Sequence, residues 1–288
     1  MTKPHKIKSA LIVEGGAMRS VFSAGLLDGF LEKNFNPFDF YIGVSAGAVN
    51  LLSYMTSQAG QSLHFYKNIA SSHESINYRR FLCGGHLIDL DWIARRIANE
   101  IGDKLQDVDF QAKPFLVGAT DIHSGQAVYI PTTADNYKSS IKASTALPLF
   151  YNGFPEINSQ PMTDGGVADG IPVAEAIAHG ATHIMVIRSR HKHYLKSDSL
   201  WHRYIRWRFR HYKELTNTMR ERVNIHRRVI SLIRNPPDGI KIVEISPPES
   251  LSIGRFSRNP EKLQSAYRTG ISMSNNAIQR WDLLQEIT

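Results

Sequence analysis

Two short apolar segments that run directly into glycine-containing turns constrain the fold of this chain more than any other feature. Ser9–Val13 is followed by a Gly-Gly turn, and Phe38–Ile42 is followed by the turn G-V-S-A-G at 43–47. A helical pattern of apolar residues begins after each turn, near 21 and near 48. A strand, a tight turn and a helix in that order are typical of a parallel sheet whose strands are connected by helices.

The same alternation continues along the chain. We predict further strands at Pro114–Ala119, Ala127–Ile130, Pro161–Gly166, His183–Arg188 and Ile240–Ile245, and helices at about 135–144, 173–179, 197–234 and 261–284. A length of 288 residues with 42% apolar side chains suffices for one large core, which excludes a disordered or collagen-like chain. The pattern therefore predicts an α/β protein with a mainly parallel sheet covered by helices on both faces.

Positive charge is concentrated in one segment. Residues 188–234 contain 14 lysines and arginines but 3 acidic residues, whereas the net charge of the whole chain is +8. A long helix at 197–234 would carry an apolar stripe, although Arg208 and Arg222 fall on that stripe and indicate a kink or partial burial. The stripe consists of Trp201, Tyr204, Ile205, Tyr212, Leu215, Met219, Val223, Ile230 and Ile233.

Three interpretations of this basic helix are open. It is a solvated face, a surface that attracts anionic lipid head groups, or a contact for nucleic acid. No recognised nucleic-acid reader motif accompanies the charge, so no nucleic-acid partner is expected.

Two features bear on the compartment. The single cysteine, Cys83, cannot form an internal disulfide and is expected to be a small core residue in a reducing environment. The apolar run at 10–13 is too short for a signal peptide, and polar residues interrupt the uncharged stretch at 40–66, which disfavours a membrane span. We therefore expect a soluble, cytoplasmic protein.

The turn at 43–47 fits the pattern G-x-S-x-G. Ser45 is flanked by Val44 and Ala46, with Gly43 and Gly47 two positions away on either side. Such a turn between a strand and a helix exposes a serine hydroxyl so that it can act as a nucleophile. The five-residue pattern is short, but the apolar strand before it and the apolar helix after it supply the context that the interpretation requires.

The first glycine turn comprises Gly15, Gly16, Ala17, Met18 and Arg19. Its backbone N–H groups suit a phosphate or dinucleotide cradle, or an oxyanion hole that stabilises negative charge on a carbonyl oxygen. A plain tight turn is the third interpretation. The dinucleotide pattern G-x-G-x-x-G is not matched, because alanine and serine stand where its second and third glycines would fall.

A carboxylate lies in the segment at 161–166. Asp164 precedes Gly165 and Gly166, and Asp-Gly is an ordinary turn pair, so a purely structural role is one interpretation. The other is that Asp164 serves as the base for a serine. The twelve histidines are scattered, and none lies in a signature that ties it to Ser45 or to a metal.

Taken together, the three segments resemble the patatin-like phospholipase family in its bacterial branch. That family carries a glycine-rich loop after the first strand, then G-x-S-x-G, an A-S-x-x-x-P segment and D-G-[GA]; the third of these is Ala143–Pro148 here. The resemblance covers about 8–190. It implies a catalytic domain at 8–190 with a three-layer α/β/α sandwich, and a basic helical extension at 191–288 packed on the same domain.

The resemblance also implies roles for the site. Ser45 would be the nucleophile and Asp164 the proton acceptor, with 15–19 as the oxyanion loop, 43–47 as the nucleophile elbow and 165–166 as the glycine turn. The implied activity is hydrolysis of lipid acyl esters (EC 3.1.1), without a metal or cofactor. The family's loop usually reads G-G-G-x-[RK]-G, so Ala17 and Ser20 depart from it, and a positive φ at either would cost about 1 kcal/mol or more.

Two alternatives stay open beside a phospholipase A or lysophospholipase. One is a thioesterase or short-chain carboxylesterase with the same dyad, and the other is a non-catalytic module that binds a lipid or a partner. The substrate is expected to be a lipid or another acyl ester, with peripheral contact between 197–234 and an anionic membrane at its inner face. Because Ser45 and Asp164 lie on another part of the chain, we expect changes in the basic helix to leave activity on a soluble short-chain ester unchanged.

Overall fold

The computed structural model describes residues 8–198 and 200–286, without the side chains at 200–202. The described residues contain eight strands: β1 Ser9–Val13, β2 Phe40–Val44, β3 Phe115–Asp121, β4 Ala127–Thr132, β5 Glu156–Ile157, β6 Gln160–Asp164, β7 His183–Ile187 and β8 Lys241–Ile245. They form one sheet in the order β5-β6-β3-β2-β1-β7-β8, with β4 beside β3. In this spatial order, the neighbouring strands β3, β2, β1, β7 and β8 are parallel to one another. Strands β4 and β6 each pair antiparallel with β3.

Helices follow most of these strands. They are α1 Val21–Leu31, α2 Ala46–Met55, α3 Gln61–His64, α4 Tyr78–Leu82, α5 Leu90–Ile101, α6 Tyr137–Thr145, α7 Val173–Ala178, α8 Leu200–Arg208, α9 Lys213–Arg234 and α10 Pro260–Glu286. Short 3₁₀ helices lie at Ala17–Ser20 and Gly102–Asp107, and a π-helix lies at Phe65–Ala70.

Alternating side chains on β1 divide the core into two layers. Leu11 and Val13 share a hydrophobic cluster with residues of α1, α2, α5, α6 and α10. Ala10 and Ile12 share a second cluster with residues of α7 and α9. Since successive side chains of a strand point to opposite faces, helices cover both faces of the sheet. The fold is the expected three-layer α/β/α sandwich.

Helix α10 packs directly on α1. A Cβ on Gly25 would lie 2.0 Å from the Tyr267 carbonyl oxygen, and a Cβ on Gly270 would lie 2.2 Å from that of Phe22. Only glycine permits this approach of the two backbones. The Tyr267 hydroxyl also donates to the buried Asp28 carboxylate at 2.6 Å. The C-terminal helix is thus joined to the helix that follows the first glycine turn.

The basic helix predicted at 197–234 is wrong as a single element, because a turn at 209–212 separates α8 from α9. Tertiary packing explains the break: the rings of Phe209 and Tyr212 lie 6.0 and 5.4 Å from that of Phe154. The predicted stripe is accordingly divided. Leu215 and other α9 residues of the stripe are buried, whereas Tyr204 on α8 is exposed. The prediction for the Trp201 side chain falls outside the described part.

Two further observations concern single features. Cys83 is exposed, so its predicted place in the core is wrong; it directly follows α4, a surface helix without a buried residue. None of the helices in the described ranges is both long enough and apolar enough to span a membrane.

Candidate active site

The end of β2 and the start of α2 hold Ser45 in a sharp turn. Ser45 has φ 53° and ψ −129°, a conformation that is strained for an L-residue. The turn also needs Gly47, because a Cβ there would lie 2.3 Å from the Val13 carbonyl oxygen. The remaining residues of the G-x-S-x-G motif, Gly43 to Ala46, complete the strand and open the helix. This strand, strained serine and helix have the form of a nucleophile elbow.

The Ser45 hydroxyl contacts Asp164, the last residue of β6. Ser45 Oγ donates to Asp164 Oδ2 at 2.7 Å, and Asp164 Oδ1 accepts the Gly166 N–H at 2.8 Å. Both side chains are buried. The next residue, Gly165, lets the turn lie on β3, since a Cβ there would be 2.2 Å from the Gly118 carbonyl oxygen. The structure thus brings together the two residues that the sequence singled out.

Burial raises the pKa of Asp164 above its usual value. The hydrogen bonds from Ser45 and Gly166, together with the charges of Arg255 and Lys196, act in the opposite direction without cancelling the effect of burial. A carboxylate with a raised pKa is a stronger base than a solvated one. Asp164 is therefore suited to accept the proton of the hydroxyl that it contacts.

The A-S-x-x-x-P segment connects the serine to the aspartate. Ser144 Oγ accepts the Ser45 N–H at 2.7 Å and donates to the Gly118 carbonyl oxygen at 2.5 Å. Two residues later, the Ala146 carbonyl oxygen accepts the Asp164 N–H at 2.9 Å. The segment fixes the backbone on both sides of the dyad, a role that the motif alone did not reveal.

The first glycine turn packs on the elbow. A Cβ on Gly15 would lie 2.8 Å from the Ser45 Cβ, so the backbone of the turn approaches the nucleophile directly. Of the two departures from the family's loop, Ala17 has a φ of 50° and is strained, whereas Ser20 has a φ of −71° and is not. The loop therefore holds Ala17 in a left-handed conformation in spite of its methyl group.

Three N–H groups of this turn have no acceptor within the described residues, those of 15–17. The next two are engaged: Met18 N–H donates to the Arg255 carbonyl oxygen and Arg19 N–H to that of Gly16, each at 3.2 Å. The N–H groups at 15–17 are therefore available for a substrate oxygen. Met18 and Arg19 contribute to the structure of the loop instead.

A buried ion network holds the base of the turn. Arg188, which directly follows β7, donates to Glu14 at 3.0 Å and to Glu244 at 2.6 Å. Ser189 donates through its N–H to Glu14 at 2.8 Å and through its Oγ to the Gly15 carbonyl oxygen at 2.9 Å. Burial opposes ionisation of Glu14, but Arg188 and the Ser189 N–H hold its pKa below the usual value. This network holds Glu14 and Gly15, and thereby the start of the glycine turn, in position.

Two cavities meet at Ser45. The first, here called the apolar chamber, has a volume of about 700 Å³ and lies against α2, α5 and α6. Its lining is mostly aliphatic and aromatic and includes Val49, Phe65, Tyr66, Ile76, Ile88, Ile93, Ala94, Ile97 and Ile141.

The second cavity, here called the cationic chamber, has a volume of about 1110 Å³ and the opposite character. Five cationic side chains line it, namely those of Arg19, Arg190, Lys196, Arg222 and Arg255. Both chambers share part of their walls, since Ala17, Ser45, Leu147 and Arg255 line each of them.

Four of these five cations follow β7 in the chain. Lys196 precedes α8, Arg222 belongs to α9, and Arg255 lies in the loop before α10. The pairing of β8 with β7 and the packing of α10 on α1 bring these C-terminal segments to the nucleophile.

The sequence relationships agree with this site. Residues 11–177 match the family model of patatin-like phospholipases. The chain belongs to the patatin-like phospholipase family. Membership of this family supports a hydrolase that acts on lipid esters. Residues 212–284 match a second model, a domain of unknown function named DUF6363.

Similar proteins are known for the whole patatin-like chain. The uncharacterized protein YjjU of Escherichia coli (strain K12) is 34% identical over 266 residues, which are 91% of this chain and 74% of that protein. The fold resembles that of VipD from Legionella pneumophila, with a TM-score of 0.50 and 10% identity over 96% of this chain and 67% of the other. The type III effector ExoU gives a TM-score of 0.46 at 10% identity, covering 96% and 54% of the two chains.

Among the histidines whose side chains the structure describes, none donates to or accepts from Ser45 or Asp164. His226 lies below the cationic chamber, where burial and the charge of Lys196 lower its pKa to about 4. Among the described side chains, the carboxylate of Asp164 is the group that accepts the hydrogen bond of the Ser45 hydroxyl.

Proposed function

We propose that this patatin-family protein is a serine acyl hydrolase that cleaves lipid acyl esters through Ser45 and Asp164. The observation that carries the proposal is the 2.7 Å hydrogen bond from the hydroxyl of the strained Ser45 to a buried carboxylate. A serine hydroxyl is a weak nucleophile until an adjacent base removes its proton. The raised pKa of Asp164 supports its assignment as that base.

In the first half of the reaction, Ser45 Oγ forms a bond to the acyl carbon while its proton passes to Asp164. The N–H groups at 15–17 stabilise the negative charge on the carbonyl oxygen. The bond between the acyl carbon and the alcohol oxygen then breaks, and Asp164 returns the proton to the leaving alcohol.

In the second half, a water molecule gives a proton to Asp164 and attacks the acyl-serine. The bond between the acyl carbon and Ser45 Oγ breaks, the proton returns to the serine, and the free fatty acid leaves. Asp164 thus acts alternately as base and acid, which requires no metal and no cofactor.

The apolar chamber supports a lipid acyl group as the substrate. Its wall includes Ser45, and its lining offers almost no polar surface, so an alkyl chain that enters it is removed from water with its carbonyl carbon near the hydroxyl. Rates on an oxygen ester and a thioester with the same chain would distinguish an esterase from a thioesterase.

A fluorophosphonate probe tests the assignment of the nucleophile. We expect it to label the wild-type protein at Ser45 and to leave Ser45→Ala unlabelled, with Ser139→Ala, which changes an exposed serine, labelled like wild type. Hydrolysis of a p-nitrophenyl ester should follow the labelling. Full labelling or full activity of Ser45→Ala would contradict the assignment of Ser45 as the nucleophile, whereas a wild-type protein that is neither labelled nor active would leave a binding module as the remaining interpretation.

We also propose that α8 contacts an anionic membrane. The exposed rings of Tyr204 and Trp207 stack at 5.9 Å, and Arg210 lies over the Trp207 ring. Aromatic and cationic side chains on one exposed helix suit a lipid interface. Because Ile205 of the same helix lines the cationic chamber, this contact would bring the membrane beside the active site.

A further inference from the structure

A third cavity adjoins the apolar chamber and is here called the distal pocket. It has a volume of about 390 Å³ and is lined by residues of α2, α3 and α5 and of the loop between α2 and α3. The side chains of Val49, Phe65 and Ile97 line both cavities. Unlike the apolar chamber, the distal pocket has many polar side chains in its wall, namely Asn50, Ser53, Gln58, Gln61, Ser62 and Glu100. A chain that passes the three shared side chains therefore moves from an apolar to a polar environment.

The two helices that line both cavities change from apolar to polar in the direction away from the nucleophile. On α2, Ser45, Val49 and Ser53 are spaced by four residues and therefore lie on one face of the helix. On α5, Ile97 lines both cavities, and Glu100 follows on the same face about one turn later. The distal pocket is therefore a continuation of the apolar chamber at the end opposite to Ser45.

One buried amide in the wall of the distal pocket lacks a hydrogen-bond partner. Gln58 is 4% exposed, and its Nε2 has no acceptor among the described residues. Asn50 is engaged instead, because its Nδ2 donates to the Ser20 carbonyl oxygen at 2.7 Å and its Oδ1 accepts the Tyr66 hydroxyl at 3.0 Å. A buried N–H without an acceptor is unfavourable. Gln58 is therefore suited to an oxygen that enters the pocket.

The same wall also contains hydrogen-bond acceptors. The Ser53 hydroxyl oxygen accepts the hydroxyl of Ser62 at 3.1 Å. The half-buried Glu100 carboxylate lies 3.8 Å from Nε2 of the exposed His64. A carboxylate at the end of a substrate chain would meet the negative charge of Glu100, whereas a hydroxyl group both donates and accepts. The chemistry of the wall thus favours a neutral hydroxyl group over a charged one.

The position of the distal pocket along α2 fixes where such a group would lie on an acyl chain. Ser53 follows Ser45 by two helical turns, which corresponds to roughly 12 Å at about 1.5 Å per residue. An extended chain advances about 1.2 Å per covalent bond, so the polar wall begins about ten bonds from the acyl carbon held at Ser45. Shorter chains end within the apolar chamber.

We infer that the distal pocket binds a hydroxyl group of the acyl chain, so that the preferred substrates are esters of hydroxylated fatty acids. This inference rests on the proposed hydrolase function and specifies the acyl half of its substrate. The substrate hydroxyl accepts from Gln58 Nε2 and donates to an acceptor of the wall, such as Glu100. In a purely apolar cavity the same hydroxyl would lose its water without compensation and would weaken binding. The two cases therefore predict effects of opposite sign.

Two pairs of p-nitrophenyl esters test the inference: decanoate with 10-hydroxydecanoate, and hexanoate with 6-hydroxyhexanoate. We expect kcat/KM for 10-hydroxydecanoate to exceed that for decanoate about fivefold, because a hydrogen bond in a protein has a modest net effect. The 6-hydroxyhexanoate should be cleaved more slowly than hexanoate, because its hydroxyl ends in the apolar chamber. Slower cleavage of 10-hydroxydecanoate than of decanoate, or an equal gain in both pairs, would overturn the inference.

Variants locate the effect in the distal pocket. Gln58→Leu replaces the amide with an apolar group of similar size and should lower the ratio of kcat/KM for 10-hydroxydecanoate over decanoate about tenfold. Ser53→Ala changes a half-buried side chain of the same wall and should lower this ratio two- to threefold. Gln111→Leu, at an exposed glutamine, is the matched control and should keep the wild-type ratio. A wild-type ratio in both pocket variants would contradict the inference.

A measurement without turnover separates this inference from the proposed function. By titration calorimetry, the Ser45→Ala protein should bind 10-hydroxydecanoate about fivefold more tightly than decanoate, and Gln58→Leu in the same background should abolish the difference. If no ester is cleaved but the hydroxy acid binds more tightly, the hydrolase proposal fails and the hydroxyl site stands. If esters are cleaved but the hydroxyl group improves neither kcat/KM nor affinity, the hydroxyl site is refuted.

Discussion

The apolar chamber and the cationic chamber share the Ser45 wall but come from different parts of the chain. Residues between 17 and 147 supply nearly all of the apolar chamber, including the inner faces of α2, α5 and α6. Four of the five cations of the other chamber come after residue 188. The apolar chamber thus lies almost entirely within the patatin match, whereas the cations of the other chamber lie mainly outside it.

Under the proposed function, this division separates the residues that carry out the reaction from the residues that select the substrate. In the proposed reaction, Ser45, Asp164 and the 15–17 N–H groups act on the acyl carbonyl, which all candidate substrates share. The walls on either side decide which ester reaches them. Changes at Ser45 or Asp164 should therefore affect all substrates equally, whereas changes in either chamber should affect one end of the substrate.

The largest effect on the rate is expected for substitutions of Ser45 and Asp164. Ser45→Ala and Asp164→Asn should each reduce kcat on any ester by about 1000-fold or more, and the double variant should lose little beyond the larger single effect, because the two residues act as a unit. Steady-state rates on a short and a long ester check this. Additive losses, or an Asp164→Asn variant that keeps most of its rate, would mean that another residue acts as the base.

A narrower apolar chamber should change chain-length preference. Ala94 lines this chamber on α5, so Ala94→Phe fills space that an alkyl chain would occupy. Each buried methylene is worth about 0.8 kcal/mol, so displacing two or three of them should lower the palmitoyl-to-butanoyl ratio of kcat/KM by roughly 10- to 50-fold. Asn99→Phe, on the exposed side of the same helix, should leave the ratio unchanged. A change in head-group preference instead would contradict the division.

The proposed membrane contact involves α8, which lines part of the cationic chamber through Ile205. Arg203 and Arg210 of the α8 region are exposed, whereas Arg206 is bound to Asp198 at 2.9 Å. Each basic residue near an anionic surface contributes about 1 kcal/mol, so Arg203→Gln with Arg210→Gln should weaken binding to anionic vesicles roughly 30-fold at low salt. Arg220→Gln with Arg228→Gln on α9 is the control pair. Equal sedimentation of all three proteins with vesicles would leave α8 as a solvated face.

The smallest effect concerns pH. Asp164 must be ionised to act as a base, and its pKa is raised, so kcat/KM should fall as the pH drops through a value above 3.8. Lys196 lowers this pKa, and Lys196→Gln should therefore move the acid limb to higher pH and reduce the rate on that limb a few-fold. A p-nitrophenyl butyrate profile measures this limb. A shift to lower pH would contradict the assignment of Asp164 as the base.

The sequence predicted the residues around Ser45 better than the residues of the cationic chamber, for a physical reason. The elbow and the glycine turn are local, because a strand, a turn and a helix follow each other within a few residues, and their glycines are required by contacts such as that of Gly47 with Val13. Lys196 and Arg255 lie in irregular segments without periodicity. Their position depends on the β7–β8 pairing and on the seating of α10, which no local pattern encodes.

The helix break at 209–212 was missed for a related reason. The residues there include neither proline nor glycine, and nothing in the local pattern ends a helix. The turn forms because Phe154, far away in the chain, packs against both of its rings. Tertiary contacts of this kind override local helix propensity.

The hydrogen bond from Met18 to the Arg255 carbonyl oxygen has a consequence for the timing of activity during synthesis. Ser45 and Asp164 leave the ribosome well before Arg255 and the helix that seats on α1. A nascent chain can therefore complete its nucleophile and base while the turn that must stabilise the oxyanion is still without its C-terminal support. We expect the emerging chain to stay inactive toward lipids until Arg255 and α10 have emerged and packed against the glycine turn and α1.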